Sequence, residues 1–276
     1  MNAQRYKNPE GPIVVKVGSE SADFDSAQGR EKLSRLAFEI SFLMSKTHRR
    51  VVLVTSGAVA HGRKVLGISK DRALGVEERR ALASIGQHRL IAHWESFFAS
   101  VDSSVRIPAV GQGLVTHAEI EADISHSNGL MSGLEGLWNL GALPILNEND
   151  FATPEEIVAL GKGADNDKNS LLIARMVRAE HLAIMTNTNG VYRKATDPES
   201  RVPVFHASRL SDDDIARICA KEKSKAGTGG MASKLAVARD AADEGMKAHI
   251  FNGTDSTLLE HVEDSHERHG GTVIVP

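Results

Sequence analysis

A single cysteine, Cys219, in 276 residues rules out a disulfide within the chain and fits a reducing compartment. Aromatic residues make up only 4%, too few for the stacking platforms that hold single-stranded nucleic acid. Charge of either sign hardly dominates: 33 Lys and Arg face 36 Asp and Glu, for a net −3. Neither nucleic acid nor an anionic membrane is therefore an expected partner. Long hydrophobic runs are missing as well. Segments such as VVLV at 51–54 fall far short of the ~20 apolar residues that cross a bilayer. The opening MNAQRYKNPEGP is polar and lacks the apolar segment of a signal peptide. The expected location is cytoplasmic.

What is present is ordinary for a globular protein that can bury a full core: 41% hydrophobic and 25% charged residues. Twelve histidines are scattered along the chain, and His261, His266 and His269 read as part of a solvated polar tail rather than a metal site. Short aliphatic runs recur: IVVKVG (13–18), VVLVTSG (51–57), VRIPAVG (105–111), LPILN (143–147), LAIMTN (182–187) and AHIFNG (248–253). Each ends at Gly, Asn or Ser, as strands do. Between them lie helical patterns. Leu33, Leu36, Ala37, Ile40, Leu43 and Met44 form one apolar stripe, and 77–99, 167–179 and 231–245 also read as helices. Apolar strands alternating with helices predict an α/β fold, a mainly parallel sheet covered on both faces. Residues 187–210 carry Asn-Gly and Asp-Pro and read as hairpin and turn. Residues 218–230 read as a mobile loop, with Lys221, Lys223 and Lys225 as a solvated cluster.

Ligands of open parallel sheets bind outside the carboxyl ends of the strands. Four polar stretches fall there: KVGS (16–19), TSG (55–57), NEND (147–150) and TNTNG (186–190). Lys16 interrupts an apolar strand, which is costly unless its ammonium finds an anion; the alternative is an edge strand whose lysine faces water. Asn147, Glu148, Asn149 and Asp150, with Asp165, Asn166 and Asp167 of ADND, could recognise an ammonium and a carboxylate on one small molecule. As alternatives, NEND is a polar turn and ADND an N-cap. GTGGMASK (227–234) suits a backbone that approaches phosphate, but Ser233 rather than glycine precedes Lys234, so it is not a P-loop. A dinucleotide fingerprint and a G-x-S-x-G elbow are absent, and GQGL at 111–114 is too weak a signal to use.

Taken in order, VVKVGS, VVLVTSGAVAHGR, LASIGQHRLIAHWESFF, GLVTHAEIEAD, LGALPILNEND, GADNDKNSLLIARMV, LAIMTNTNGVY, GTGGMASKLAVARDAADEG and GGTVIV resemble the glutamate 5-kinase family of the amino acid kinase superfamily. The resemblance runs from about residue 12 to the C-terminus. It implies a three-layer α/β/α sandwich over 12–276, with 1–11 a flexible tail. It also implies phosphorylation of L-glutamate by ATP with Mg. By carry-over, Lys16 and Lys234 contact the transferred phosphoryl group, Gly18 and Ser19 donate to it, and Asp167 holds the two lysines. Ser56, Gly57, Asn147, Asp150, Asp165 and Asn166 bind glutamate. Thr186, Asn187 and the run Thr228, Gly229, Gly230, Met231, Ala232, Ser233 and Lys234 line the nucleotide. The resemblance further implies feedback by proline and a homo-oligomer, dimer or tetramer. Three departures stand out. Ala164 occupies a usual glycine position, Asn187 a usual aspartate position, and no PUA domain follows the kinase motifs before Pro276.

Overall fold

The computed structural model describes residues 11–126, 129–152, 166–194, 197–219, 230–263 and 270–276. Its frame is an eight-stranded sheet in the order β3-β4-β2-β1-β5-β9-β10-β8. The strands are β1 (Ile13–Val17), β2 (Val51–Val54), β3 (Val110–Val115), β4 (Leu143–Glu148), β5 (His181–Met185), β8 (Val204–His206), β9 (Lys247–Phe251) and β10 (Thr272–Val275). All neighbours pair in parallel except β9 and β10. Every residue of β1, β2 and β5 is buried, which is why these strands read as unbroken apolar runs.

Helices cover both faces, as expected for the sandwich. On one face lie α1 (Ala27–Ser45), α2 (Ala58–Val65), α3 (Val76–Ala99) and α9 (Leu258–Val262); the other carries α6 (Asn166–Val177) and α8 (Met231–Asp243). The remaining helices are α4 (His117–His126), α5 (Gly129–Asn139) and α7 (Asp212–Cys219). The stripe on α1 is buried throughout. Ser26 caps this helix, its Oγ accepting from the Gly29 N–H at 2.9 Å. Two motif glycines have a packing task. A Cβ on Gly62 would stand 2.0 Å from Leu82 O, and one on Gly86 1.9 Å from Ala58 O. The α2 and α3 backbones therefore touch, and only glycine fits at the crossing. Trp94, on α3, donates from Nε1–H to Thr55 Oγ1 at 2.8 Å and locks this helix pair to the end of β2. No helix among the described residues is long and apolar enough to cross a membrane.

Three expectations need correction. The strand expected at 105–111 is instead Val110–Val115. Pro108 lacks an N–H for a ladder, and the edge position of β3, against β4 alone, tolerates Gly-Gln-Gly within the strand. The hairpin in 187–210 exists, β6 (Val191–Tyr192) against β7 (Arg201–Val202). Its connection carries Asp197-Pro198, however, while Asn189-Gly190 leads into it. His261 is not part of a solvated tail. It is fully buried in α9, with its ring 5.2 Å from that of His249, which in turn contacts His181 at 2.9 Å. His266, His269 and the cluster at Lys221, Lys223 and Lys225 lie outside the described residues, as does the tail 1–10.

Glu39 is a buried carboxyl on α1 that accepts from the Leu258 N–H at 2.9 Å. Burial pushes it up to about 7, against the lowering effect of that N–H and of Arg35. A carboxyl raised in the folded state favours folding most when both states are protonated. That contribution declines as pH climbs from about 4.5 to 7 and then stays lost. Glu39→Gln is thus expected to stabilise the protein at pH 8 by roughly 1–3 kcal/mol, and to change little at pH 4.5. Thermal melts at the two pH values check this; equal effects at both would remove the explanation.

Candidate active site

The strand order reverses at β1. The chain moves from β1 to β2 on one side, and β5 then joins β1 on the other. A crevice at such a point is where open α/β sheets take ligands. Lys16 sits there, in the central strand rather than at an edge, and is 4% exposed. Its ammonium pairs with Asp167 Oδ1. Asp167 stands in the first turn of α6 and is 1% exposed. Its other oxygen, Oδ2, accepts from Lys234 Nζ at 3.3 Å. Lys234 comes from the first turn of α8. One buried carboxylate thus spans two ammonium groups from two other elements.

The turn after β1 is drawn in close. A Cβ on Gly18 would stand 3.0 Å from Lys16 Nζ, so the ammonium lies against this backbone. A Cβ on Gly57 would stand 3.8 Å from Ser19 Cβ, which brings the β2–α2 turn alongside. Gly57 has φ of 116°, a left-handed value that favours glycine. It places Ser56, half-buried, before the first turn of α2. The lysine triad and the two turns are therefore neighbours along the crevice.

The acidic side lies at the end of β4, which joins β2 through Thr55 N–H donating to Leu146 O at 2.9 Å. Asn147 is buried and donates from Nδ2 to Gln87 Oε1 on α3 at 2.7 Å. Asp150 is pushed up to about 6 by burial and by the neighbouring charge of Glu148, with Arg79 opposing. Asn166, the first residue of α6, is 8% exposed. Its Oδ1 is buried and has no hydrogen-bond partner among the described residues. A buried acceptor left unpaired costs about 1–3 kcal/mol, so this atom is suited to a donor that arrives with a ligand. Asp165 and Ala164 lie outside the described residues.

On the other side, Thr186 donates its N–H to Phe251 O at 2.8 Å, tying β5 to β9. Asn187 Oδ1 accepts from Ser21 Oγ at 3.3 Å rather than closing the Asn189-Gly190 turn. Asn187 also lines an open polar cleft of about 430 Å³ with Lys32, Asn252 and Asp255. Gly230 is the N-cap of α8, followed by buried Met231, exposed Ala232 and half-buried Ser233. Thr228 and Gly229 lie outside the described residues.

Three neighbours escaped the sequence reading: Gln87, Asn169 and His117. Gln87 stands in the stretch LASIGQHRL but carried no role there, while Glu148 was read only as one of the four polar residues of NEND. Asn169, inside the apolar pattern of α6, was the one legible signal, because a buried amide needs partners.

Comparison with known proteins agrees with this layout. The amino acid kinase family model matches residues 11–252. A glutamate 5-kinase from Lactococcus lactis is 31% identical over 92% of this chain and 92% of its own length. One from Xanthomonas campestris is 34% identical over 89% of this chain, which spans 64% of that longer protein. Among solved structures, carbamate kinase from Giardia lamblia bound to AMP-PNP aligns over 97% of this chain and 99% of its own, with a TM-score of 0.60 at 16% identity. That likeness is one of fold. The chain belongs to the amino acid kinase family, where it stands with the glutamate 5-kinases.

Proposed function

We propose that the chain transfers the γ-phosphoryl group of ATP to the side-chain carboxylate of L-glutamate, yielding ADP and L-glutamyl 5-phosphate for proline synthesis. The observation that carries this reading is the buried Lys16–Asp167–Lys234 bridge at the crevice. Its two ammonium groups, set side by side, suit a phosphoryl group in transfer. The nucleophile needs no general base, because a glutamate side chain with a pKa near ~4.3 is already ionised at neutral pH. A carboxylate oxygen forms the new bond to phosphorus as the bond to the bridging oxygen of ADP breaks. The difficulty is electrostatic, since one anion approaches another. Lys16 and Lys234 offset that repulsion, and the Gly18 backbone and Ser19 add donors. Asp167 holds the lysines in register.

On the glutamate side, Asn166 Oδ1 and Asp150 accept from the ammonium group, while Ser56 and Gly57 face the carboxylate end. Thr186, Asn187 and the start of α8 receive the nucleotide. Magnesium suits this site as a companion of the nucleotide. Among the described residues no group of three or more His, Cys, Asp or Glu could hold a metal, and Asp167 is committed to two lysines. Phosphate oxygens and water are the ordinary ligands of Mg²⁺. Proline, whose ring contains the carbon skeleton of cyclised glutamate, is the expected competitor at the glutamate pocket.

The test couples ADP release to L-glutamate and traps the acyl phosphate with hydroxylamine. ADP release without hydroxamate would mean a different acceptor. A pH profile probes the acidic side. Below about 6, Asp150 takes up a proton and loses its attraction for the substrate ammonium. kcat/KM for glutamate is expected to fall about tenfold per pH unit there. An ordinary carboxylate would hold the plateau to about pH 4, so a flat profile from pH 7 to 5 would detach Asp150 from glutamate.

A further inference from the structure

Glu148 is buried at the end of β4, two residues before Asp150, and its Oε2 accepts from Asn169 Nδ2 on α6. Asn169 Oδ1 lies 2.9 Å from His117 Nδ1, at the start of α4. His117 reaches the surface, where its Nε2 stands 3.3 Å from Glu121. Chemistry fixes the direction of this chain. An ionised Glu148 can only accept, so Asn169 must turn its amide nitrogen inward. Its oxygen then points outward and can only accept, so His117 must carry its proton on Nδ1. Reversing the Asn169 amide would set oxygen against carboxylate and nitrogen against a donor. Glu148 therefore fixes the orientation of Asn169, His117 supplies the donor that the outward oxygen needs, and the two hold the Glu148 carboxylate where its charge acts on Asp150.

We infer that His117 and Asn169 are positioning residues for glutamate recognition: they lock Glu148 so that it and Asp150 together receive the substrate ammonium. This rests on the functional reading above. The alternative is a brace that merely ties α4 and α6 to β4. A brace would affect both substrates alike, or neither. A positioning role acts on glutamate alone.

Three variants separate these cases. Asn169→Leu keeps the volume and removes both hydrogen bonds. His117→Phe removes the outer donor, while His117→Gln keeps one. Steady-state kinetics of Asn169→Leu are expected to show KM for glutamate raised roughly tenfold, with KM for ATP within about twofold, since a hydrogen bond to a charged group is worth about a factor of ten or more. His117→Phe follows in the same direction with a smaller change, and His117→Gln returns close to the parent enzyme. An unchanged glutamate KM in Asn169→Leu, equal losses for both substrates, or identical behaviour of His117→Phe and His117→Gln would overturn the inference. Should Asn169→Leu melt without cooperativity, the half-exposed His117 pair decides alone. If the parent enzyme releases no ADP with glutamate, the functional reading fails instead. The same variants titrated with glutamate in a thermal-shift assay then still read the relay.

Discussion

Lys234→Ala is expected to lower kcat by roughly two to three orders of magnitude, the usual cost of removing one preorganised donor from developing charge. KM for glutamate is expected to stay within a few-fold. The reason lies in the division of charge around Asp167. Lys16 is the more deeply enclosed of the two lysines and pairs with Oδ1, while Lys234 reaches Oδ2 at 3.3 Å and is 12% exposed. Lys234 is therefore the better placed to follow the phosphoryl group as its charge moves. An interaction made chiefly in the transition state shows in kcat, not in ground-state binding. Lys234→Arg is not expected to rescue, because a planar fork cannot replace a compact ammonium within a pocket this closed. A kcat within a few-fold of the parent in Lys234→Ala would leave the residue a mere part of the α8 turn.

Asp167→Asn is expected to damage both activity and stability. The substitution keeps shape and removes the anion that pairs with both lysines, which are 5% and 12% exposed. Breaking a buried ion pair by removing one partner typically costs about 3–5 kcal/mol, which for a chain of this length lowers Tm by roughly 10 °C. kcat is expected to fall at least a hundredfold, since the lysines lose their common anchor. The diagnostic is the response to nucleotide. Added ATP or ADP supplies anionic oxygens to the same ammonium groups, so it is expected to raise the Tm of Asp167→Asn more than that of the parent. An equal nucleotide shift in both proteins would separate the aspartate from the phosphate site.

Much of this molecule is local, and local features are legible. The apolar runs of β1, β2 and β5 could be read because each strand is buried on both faces. The stripe on α1 could be read because its period is that of one helix face. Lys16 stood out because a lysine within such a run demands an anion. The edge strand Val110–Val115 was hidden, since a strand paired on one side tolerates Gly-Gln-Gly and so loses its apolar signature. Strand β8, three residues paired with β10 alone, was too short to announce itself. His261 was misread because a polar residue near a chain end gives no sign of being packed under β9.

The sequence by itself determined the alternation of strand and helix, the likeness to a kinase family and the identity of the charged residues at the strand ends. Each follows from residue type and spacing over a few positions. Only the tertiary structure decided which charges meet. It set Asp167 between Lys16 and Lys234, turned Asn169 toward Glu148, put Ser21 on Asn187 rather than leaving that amide to its own turn, and gave Gly62 and Gly86 to a helix crossing. Those outcomes depend on elements far apart in the chain being packed until each buried polar group has found, or awaits, a partner. That condition has no local period and leaves no mark in a short stretch of sequence.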